Sequence, residues 1–246
     1  MKKQQWYIGC SGYNYPSWKN IFYPGQIKPA QWLEYYSTQF KTVELNNTFY
    51  RFPVVKNLQR MYSMTPAGFS FSVKAHKVIT HSMRMNKTAE KIFEFTDIVE
   101  NGLRDKLACI LFQLPPSFKY SDENIERVIL DVPHQSRNVI EFRNVSWWRE
   151  DVRETLRAAH LSLCDVSFPG LPEEYSATSE KYYLRMHGVP KLFYSSYSSA
   201  QLDKMIKKIP TECNERFIYF NNTAEDVAFR NARSVEEKLQ DALILK

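Results

Sequence analysis

The amino-acid sequence predicts a single α/β domain, a (β/α)8 TIM barrel that takes in residues 1–246. Short apolar runs of strand length recur at intervals of roughly thirty residues, which is the size of one strand–helix unit. Most of these runs are separated by stretches in which apolar residues recur at helical spacing. Eight such units in a chain of this length favour a closed barrel over an open doubly wound sheet.

The predicted strands and helices alternate along the chain. The strands cover residues 7–10, 42–45, 69–73, 107–114, 138–142, 161–166, 182–186 and 217–220. The helices fall within residues 30–40, 58–62, 92–99, 125–129, 152–156, 202–209 and 227–239. One interval departs from the alternation, because residues 167–181 contain Pro169, Gly170 and Pro172, which break helices. We therefore predict a reduced helix between the sixth and seventh strands.

The composition excludes several classes of protein. With 43% hydrophobic residues the chain can bury enough apolar surface to fold, which excludes extended disorder. Neither GxGxxG nor GxxxxGK(S/T) follows the first strand, so no nucleotide cofactor is expected. The 4 cysteines form no CxxC pair and are expected to be buried, reduced thiols. Without a secretory signal or an apolar run near the ~18 residues of a membrane span, we expect a cytoplasmic protein with no membrane partner.

Polar side chains cluster at the carboxyl ends of the predicted strands, where TIM barrels carry their active sites. Because strand side chains alternate, the apolar positions that face the helices leave these polar ones facing the barrel interior. The inward set is Glu44, Asn46, Lys74, His76, Gln113, Glu141, Arg143, Asp165, Arg185, His187 and Asn221. The structural alternative is a charge-balanced buried network of three acids and three bases. Such a network is rarely more stable than an apolar core, so we favour a functional site.

Aromatic residues crowd the loops at the same end of the barrel. They are Tyr13, Tyr15, Trp18, Phe22, Tyr23, Phe49, Tyr50, Phe52, Phe118, Tyr120, Trp147, Trp148, Phe168, Tyr175, Phe193, Tyr194 and Tyr197. Aromatic rings beside a charged pocket suit stacking on sugars or bases, and we expect Tyr13, Trp18 and Trp147 to contact the substrate. For about half of the rings we expect packing within the loops instead.

Several segments match one known family. They read CSGYNYPSW at 10–18, TVELNNTFYRFP at 42–53, FSFSVKA at 69–75, ILFQLPPSF at 110–118, IEFR at 140–143, LRMHG at 184–188 and YFNN at 219–222. Together they resemble the YecE-like family, domain of unknown function 72. The resemblance implies a TIM barrel and supplies no established activity. The family's motif positions map onto Glu44, Asn46, Lys74, His81, Gln113, Glu141, Arg143, Asp165, Arg185, His187 and Asn221.

The chain departs from the family pattern at two places. Asn144 stands where the family usually has histidine, so a proton-transfer role at that position is unsupported. Residues 223–226 read TAED where the family usually has glycine. Thr223 with an acid three positions later predicts a helix cap, and the two acids disfavour an anion at the usual phosphate site of such barrels.

The first functional hypothesis is a metal-independent enzyme acting on a small polar substrate, either sugar-like or anionic. Glu44 and Glu141 would act as acid and base, and Asp165 and His187 complete the predicted catalytic set. The residues expected to bind the substrate are Asn46, Lys74, Gln113, Arg143, Arg185 and Asn221, with the three loop aromatics. A buried Lys74 suits a Schiff base, but pairing with Glu44 is the favoured interpretation.

Two alternatives stay open. A divalent-metal barrel, such as a sugar isomerase or an endonuclease IV-like phosphodiesterase, would take its ligands from Glu44, Glu141, Asp165, His76 and His187. That hypothesis is disfavoured, because the neighbouring lysine and arginines would repel a metal ion. The net charge of +6 and the loop aromatics give weak support for a nucleic-acid partner. The other alternative is a non-catalytic protein that binds a small polar or anionic ligand in the same pocket.

Overall fold

The structure, a computed structural model, describes residues 4–244, with side-chain surroundings through residue 241, so both ends of the predicted domain lie outside it. The strands are β1 (Gln5–Cys10), β2 (Thr42–Leu45), β3 (Ser70–Lys74), β4 (Leu107–Gln113), β5 (Asn138–Glu141), β6 (Ser162–Ser167), β7 (Lys181–Met186) and β8 (Glu215–Phe220). The α-helices are α1 (Trp32–Gln39), α2 (Asn47–Tyr50), α3 (Val55–Ser63), α4 (Ala89–Leu103), α5 (Asp122–Asp131), α6 (Glu150–Ala158), α7 (Ser199–Lys208) and α8 (Val227–Ile244). The short α2 is the one α-helix that the apolar periodicity does not predict.

All eight strands form one parallel sheet in the order β1-β8-β7-β6-β5-β4-β3-β2, curled into a nearly closed barrel. The predicted TIM-barrel fold is confirmed. Each strand rises through the centre and each helix returns along the outside, so the carboxyl ends of the strands meet at one end, called the mouth here. None of the helices within residues 4–244 is both long and apolar enough to cross a membrane.

The barrel closes between β1 and β2 through a seam with little strand pairing. A single bridge pairs Ser11 with Glu44 across it. Beside that bridge the Tyr36 hydroxyl accepts a hydrogen bond from the Cys10 amide at 2.8 Å and donates one to the Thr42 carbonyl at 3.1 Å. The phenol therefore satisfies backbone groups on both edge strands at once.

The barrel interior holds a compact apolar layer below the mouth. Its buried members are Cys109, Leu111, Val139, Cys164, Val166, Tyr183, Phe217 and Tyr219. This layer confirms the predicted inward faces of β4, β5, β7 and β8. It contradicts the predicted face of β6, where Cys164 and Val166 point inward in place of Leu163 and Asp165. The larger apolar core lies between the outside of the sheet and the helices.

The connection from β6 to β7 contains no helix, which confirms the predicted reduction there. Two hydrogen-bonded anchors hold this connection against the sheet instead. The Thr178 hydroxyl accepts from the Leu163 amide at 2.8 Å and donates to the Leu161 carbonyl at 2.7 Å. The Ser176 amide donates to the Asp165 carboxylate at 2.7 Å. The outer face of β6 and β7 is therefore covered by loop near the mouth.

Candidate active site

Arg185 joins the two predicted catalytic carboxylates at the top of the barrel. Its Nη2 donates to Glu44 at 2.7 Å and its Nη1 donates to Glu141 at 2.8 Å, with all three residues buried. The Tyr183 hydroxyl donates to the second oxygen of Glu44 at 2.7 Å. Alternating positions on β7 therefore supply both the phenol and the guanidinium that hold these carboxylates.

Glu141 is held in its ionised form. Burial alone would raise the pKa of its carboxyl group, but the adjacent guanidinium groups of Arg143 and Arg185 outweigh burial and hold that pKa well below its ordinary value. The Arg143 Nε donates to one oxygen of Glu141 while Arg185 donates to the other. A carboxylate fixed in this way orients cations, and it is a poor proton donor or acceptor near neutral pH.

His187 is a neutral ring that positions Arg143. Burial, together with the positive charges of Arg143 and Arg185, lowers the pKa of His187 well below its ordinary value. The Arg143 Nη2 lies 2.9 Å from Nε2, and because a guanidinium only donates, Nε2 is the acceptor. The ring proton is then on Nδ1, which lies 2.9 Å from Nδ2 of the Asn221 carboxamide, and the carboxamide has to present its oxygen at this position to accept that proton. Residues at the ends of β5, β7 and β8 thus fix Arg143 through the chain of contacts from Arg143 to His187 to Asn221.

Lys74 is half-buried at the edge of the cluster. Its Nζ donates to Gln113 Oε1 at 2.7 Å and lies 4.1 Å from the centre of the Phe49 ring. Burial, with Arg185 as the next cause, lowers the pKa of Lys74 to about 7. The predicted pairing with Glu44 is wrong, because Arg185 and Tyr183 already occupy that carboxylate. The lysine therefore ends beside an amide, where its neutral form is well populated.

Two side chains that were not among the predicted site residues border this cluster. His81 lies on a single π-helical turn, Val78–Ser82, with its ring 4.9 Å from Phe49. Burial and the nearby charge of Lys74 lower the pKa of His81 to about 4, so this ring is also neutral. Phe168 stacks against the Arg143 guanidinium at 4.3 Å. The family resemblance includes position 81, and the loop aromatics include Phe168, but neither pattern indicates their contacts.

The loop after β7 is fastened over the site by two asparagines. Asn222 donates from its carboxamide to the Ser195 carbonyl at 3.0 Å, and Asn231 of α8 donates to the Tyr197 carbonyl at 3.0 Å. Between them the Phe193 amide donates to the His187 carbonyl at 2.7 Å. The YFNN segment and Asn231 therefore hold a loop in place at the rim of the mouth.

Residues 7–245 match the family described as "Protein of unknown function DUF72". The chain belongs to the DUF72 family. The resemblance seen in the sequence is thereby confirmed over nearly the whole chain.

Individual relatives agree with this assignment. UPF0759 protein YunF of Bacillus subtilis (strain 168) is 27% identical over 269 residues, covering 95% of this chain and 94% of that protein. The crystal structure of a DUF72 family protein (TM1631) from Thermotoga maritima has a TM-score of 0.88 at 29% identity, covering 96% of this chain and all of that one. A DUF72 family protein (EF0366) from Enterococcus faecalis V583 gives 0.78 at 18% identity over 98% and 99%, which supports the fold alone.

Asp165 is one of the motif positions suggested by the family resemblance, but its side chain does not lie at the mouth. Its side chain points outward from the sheet, where it accepts the Ser176 amide, and burial raises its pKa to about 7. The prediction of an inward catalytic Asp165 is wrong because β6 carries apolar residues on both faces, so the alternation does not tell the inner face from the outer one. His76 also lies outside the barrel interior, packed at 5.3 Å against Phe52, which in turn contacts Phe95 of α4.

Two of the three aromatics expected to contact substrate belong to the core. Trp18 is fully buried, donates from its indole to the Glu225 carbonyl at 2.9 Å and packs on Phe229. Trp147 is stacked 3.9 Å from Phe142 and donates to the Phe118 carbonyl. Both predictions of substrate contact are wrong, because no face of either ring reaches the mouth.

Tyr13 and Asn46 do lie at the mouth, on the side of β1 and β2. Both border a cavity of about 270 Å³ that also touches Gly12 and Leu45. Gly12 has a φ of +104°, and a side chain there would collide with the Tyr15 phenol. The backbone at the end of β1 thus stays close to the cavity, and Tyr13 and Asn46 remain candidate ligand contacts.

The two departures from the DUF72 pattern have structural outcomes. Asn144 caps a short turn by accepting the Ser146 amide at 3.1 Å, and its amide donates to the Pro116 carbonyl at 2.9 Å. The helix cap predicted at Thr223 is wrong, because α8 begins at Val227.

The metal hypothesis draws on carboxylates that come together only in part. Glu44 and Glu141 meet around Arg185, whereas Asp165 and His76 lie elsewhere. Within the part of the chain that the structure describes, no three His, Cys, Asp or Glu side chains form a group able to hold a metal ion.

Proposed function

We propose that this DUF72 protein is an enzyme that acts on a small anionic substrate at the mouth of the barrel. Lys74 acts as the general base that takes a proton from the substrate, and Arg143 binds the anionic group of the substrate. The observation that carries the proposal is the Lys74 amine, which has a pKa of about 7 and is hydrogen-bonded to Gln113 rather than to a carboxylate.

The environment of Lys74 suits a general base. A group with a pKa near the working pH is present in both protonation states, which is the condition for efficient proton transfer. Gln113 is itself oriented, because its Nε2 donates to the Leu114 carbonyl at 2.7 Å and leaves Oε1 facing the amine. Phe49 covers the amine from one side. The neutral amine is also the form that adds to a carbonyl carbon.

Arg143 presents a binding edge near Lys74, close enough for its charge to contribute to the lowered pKa of the amine. Its Nε is used by Glu141 and its Nη2 by His187, whereas Nη1 has no acceptor among residues 4–241. The side chain is 10% exposed, and Phe168 covers one face of the guanidinium. A planar guanidinium held on two edges offers its remaining edge to a carboxylate or phosphate.

The geometry changes the roles expected for the carboxylates. Glu44 and Glu141 face arginine donors on most of their oxygen edges, so they fix the cations rather than exchange protons with substrate. A divalent ion on these carboxylates would have to displace Arg185 and would lie among Lys74, Arg143 and Arg185. This competition favours the metal-independent hypothesis over the metal-dependent one.

The proposal is tested by screening carboxylated and phosphorylated sugars and small oxo acids for both binding and turnover. We expect the wild type to convert at least one compound. Lys74→Met should bind that compound within about threefold but turn it over about 10²–10⁴-fold more slowly, the usual contribution of a general base. Arg143→Lys should weaken binding, because a lysine lacks the planar fork.

Lys77→Met is the matched control, since Lys77 is exposed and lies three residues from Lys74. It should behave as the wild type in both measurements. If a compound binds through Arg143 and the wild type does not convert it, the protein is a ligand-binding protein and the enzyme proposal is wrong. Full turnover by Lys74→Met would remove the lysine from the mechanism.

A further inference from the structure

A cavity of about 310 Å³ lies outside the barrel, where the helix between β6 and β7 is missing. One wall is the loop after β6 and the other is α7. The lining includes Phe168, Leu171, Glu173, Met186, Lys204 and Lys208. In other strand–helix units a helix packs on the outer face of the sheet, whereas here loop and α7 leave space between them.

The walls of this cavity are apolar in depth and cationic at the edge. Leu171 and Met186 contribute apolar surface, and Met186 is buried. Lys204 and Lys208 are one turn apart on α7, so their side chains project to the same side of the helix. Glu173 is the single acid of the lining, and it accepts a hydrogen bond from the Tyr175 hydroxyl at 2.7 Å.

We propose that this cavity binds an amphipathic anion: a molecule of one or two rings, or a short acyl chain, that carries a single carboxylate, sulfonate or phosphate group. The volume lies at the lower end of small-molecule pockets, which excludes large cofactors. The apolar depth accommodates the hydrocarbon part. The two lysines outweigh the one acid, so the edge favours a negative group.

The cavity is separated from the mouth by Phe168. One face of this ring stacks on the Arg143 guanidinium, and the residue also lines the outer cavity. The anion at the edge is bound by α7, which contributes no residue to the Lys74 and Arg143 cluster. This second site is therefore independent of the proposed reaction, and either proposal can fail alone.

The probe for this site is 5-dimethylaminonaphthalene-1-sulfonate, which combines two fused aromatic rings with one anionic group and fluoresces more strongly when it leaves water. We expect saturable binding of one molecule to the folded chain. The double variant Lys204→Glu/Lys208→Glu should weaken that binding about tenfold or more, because it replaces attraction by repulsion at the edge. Lys207→Glu is the control: the same substitution at one exposed residue of α7 outside the lining, with half the charge change of the double variant.

A second pair of variants tests the space itself. Gln201→Trp places a large ring in the cavity from α7 and should reduce binding, whereas Ala200→Trp, exposed and outside the lining, should leave it unchanged within twofold. Wild-type affinity in the double lysine variant, or an equal loss in Lys207→Glu, would overturn the proposal. Loss of binding in Lys74→Met would also overturn it, because the probe would then occupy the mouth.

Discussion

Replacing Lys74 by methionine should make the protein more stable, and most strongly at low pH. Burial and the neighbouring Arg185 lower the pKa of Lys74 from 10.5 to about 7. The unfolded chain therefore binds more protons than the folded chain between pH 7 and 10.5. The free energy of unfolding of the wild type consequently rises with pH across that window. Methionine is close in length and carries no charge, so the variant lacks this dependence.

The magnitude follows from about 1.4 kcal/mol for each unit of pKa change. At pH 6 the folded wild type bears a penalty of about 5 kcal/mol for the charged amine, and at pH 9.5 about 1.5 kcal/mol remains. The advantage of Lys74→Met over the wild type should therefore shrink by about 3 kcal/mol between pH 6 and pH 9.5.

The assay is urea unfolding at both pH values and constant ionic strength, followed by tryptophan fluorescence and circular dichroism. Lys77→Met provides the baseline for removing a lysine charge from an exposed position three residues further along the chain. An advantage that stays constant to within about 0.5 kcal/mol would refute the reasoning. It would show that Lys74 titrates as an ordinary lysine, and it would remove the main support for the proposed function.

Three further substitutions test other parts of the structure by urea unfolding. Tyr36→Phe should cost about 2–4 kcal/mol, since two seam hydrogen bonds are lost and the buried Cys10 amide is left unpaired; an unchanged midpoint would contradict the described seam. Asp165→Asn should stabilise the protein by up to about 4 kcal/mol at pH 8, because the folded pKa of about 7 lies above the ordinary 3.8 and the folded carboxylate is penalised as pH rises through that window. This gain should fall by more than half at pH 5. Glu141→Gln should cost about 3–5 kcal/mol by leaving Arg143 and Arg185 without their shared carboxylate, and a smaller loss would mean that the cations find other partners.

The fold follows from the sequence because its signals are local and repeated. The run at 42–45 and the run at 107–114 differ from β2 and β4 by at most one residue. The missing helix after β6 is equally predictable, because Pro169, Gly170 and Pro172 act on the backbone where they stand. Strand ends that alternate apolar and polar side chains likewise place Glu44, Glu141 and Arg185 in one layer.

The sequence pattern does not predict which side chains of that layer form hydrogen bonds with one another. The same alternation that places Lys74 in the mouth does not say that Gln113, rather than Glu44, receives its amine. Lys74 donates to Gln113 because the guanidinium of Arg185 already occupies Glu44, and this arrangement is set by distances in the folded structure that the sequence pattern does not contain. The prediction of an inward Asp165 is wrong for a different reason. Strand β6 is covered on both faces and has apolar residues on both, so its sequence pattern does not show which face the Asp165 side chain lies on.

Trp18 and Trp147 show the limit of composition as evidence. Both belong to loops that begin at the mouth, yet their indole groups donate to carbonyls within the outer core. Loops with little glycine close over their own aromatics, and the sequence gives no indication of which rings remain outside.

The seam between β1 and β2 has a consequence for how the molecule opens. Other neighbouring strands pair at two to six positions, whereas these two edge strands share one bridge and the Tyr36 hydroxyl. Local opening should begin where backbone hydrogen bonds are fewest, so amide exchange is expected to be fastest along this edge. Glu44 sits on that edge and anchors Arg185. The lifetime of the charged cluster is therefore set by the fluctuations of its least-paired boundary, not by the well-ordered strands that carry most of its side chains.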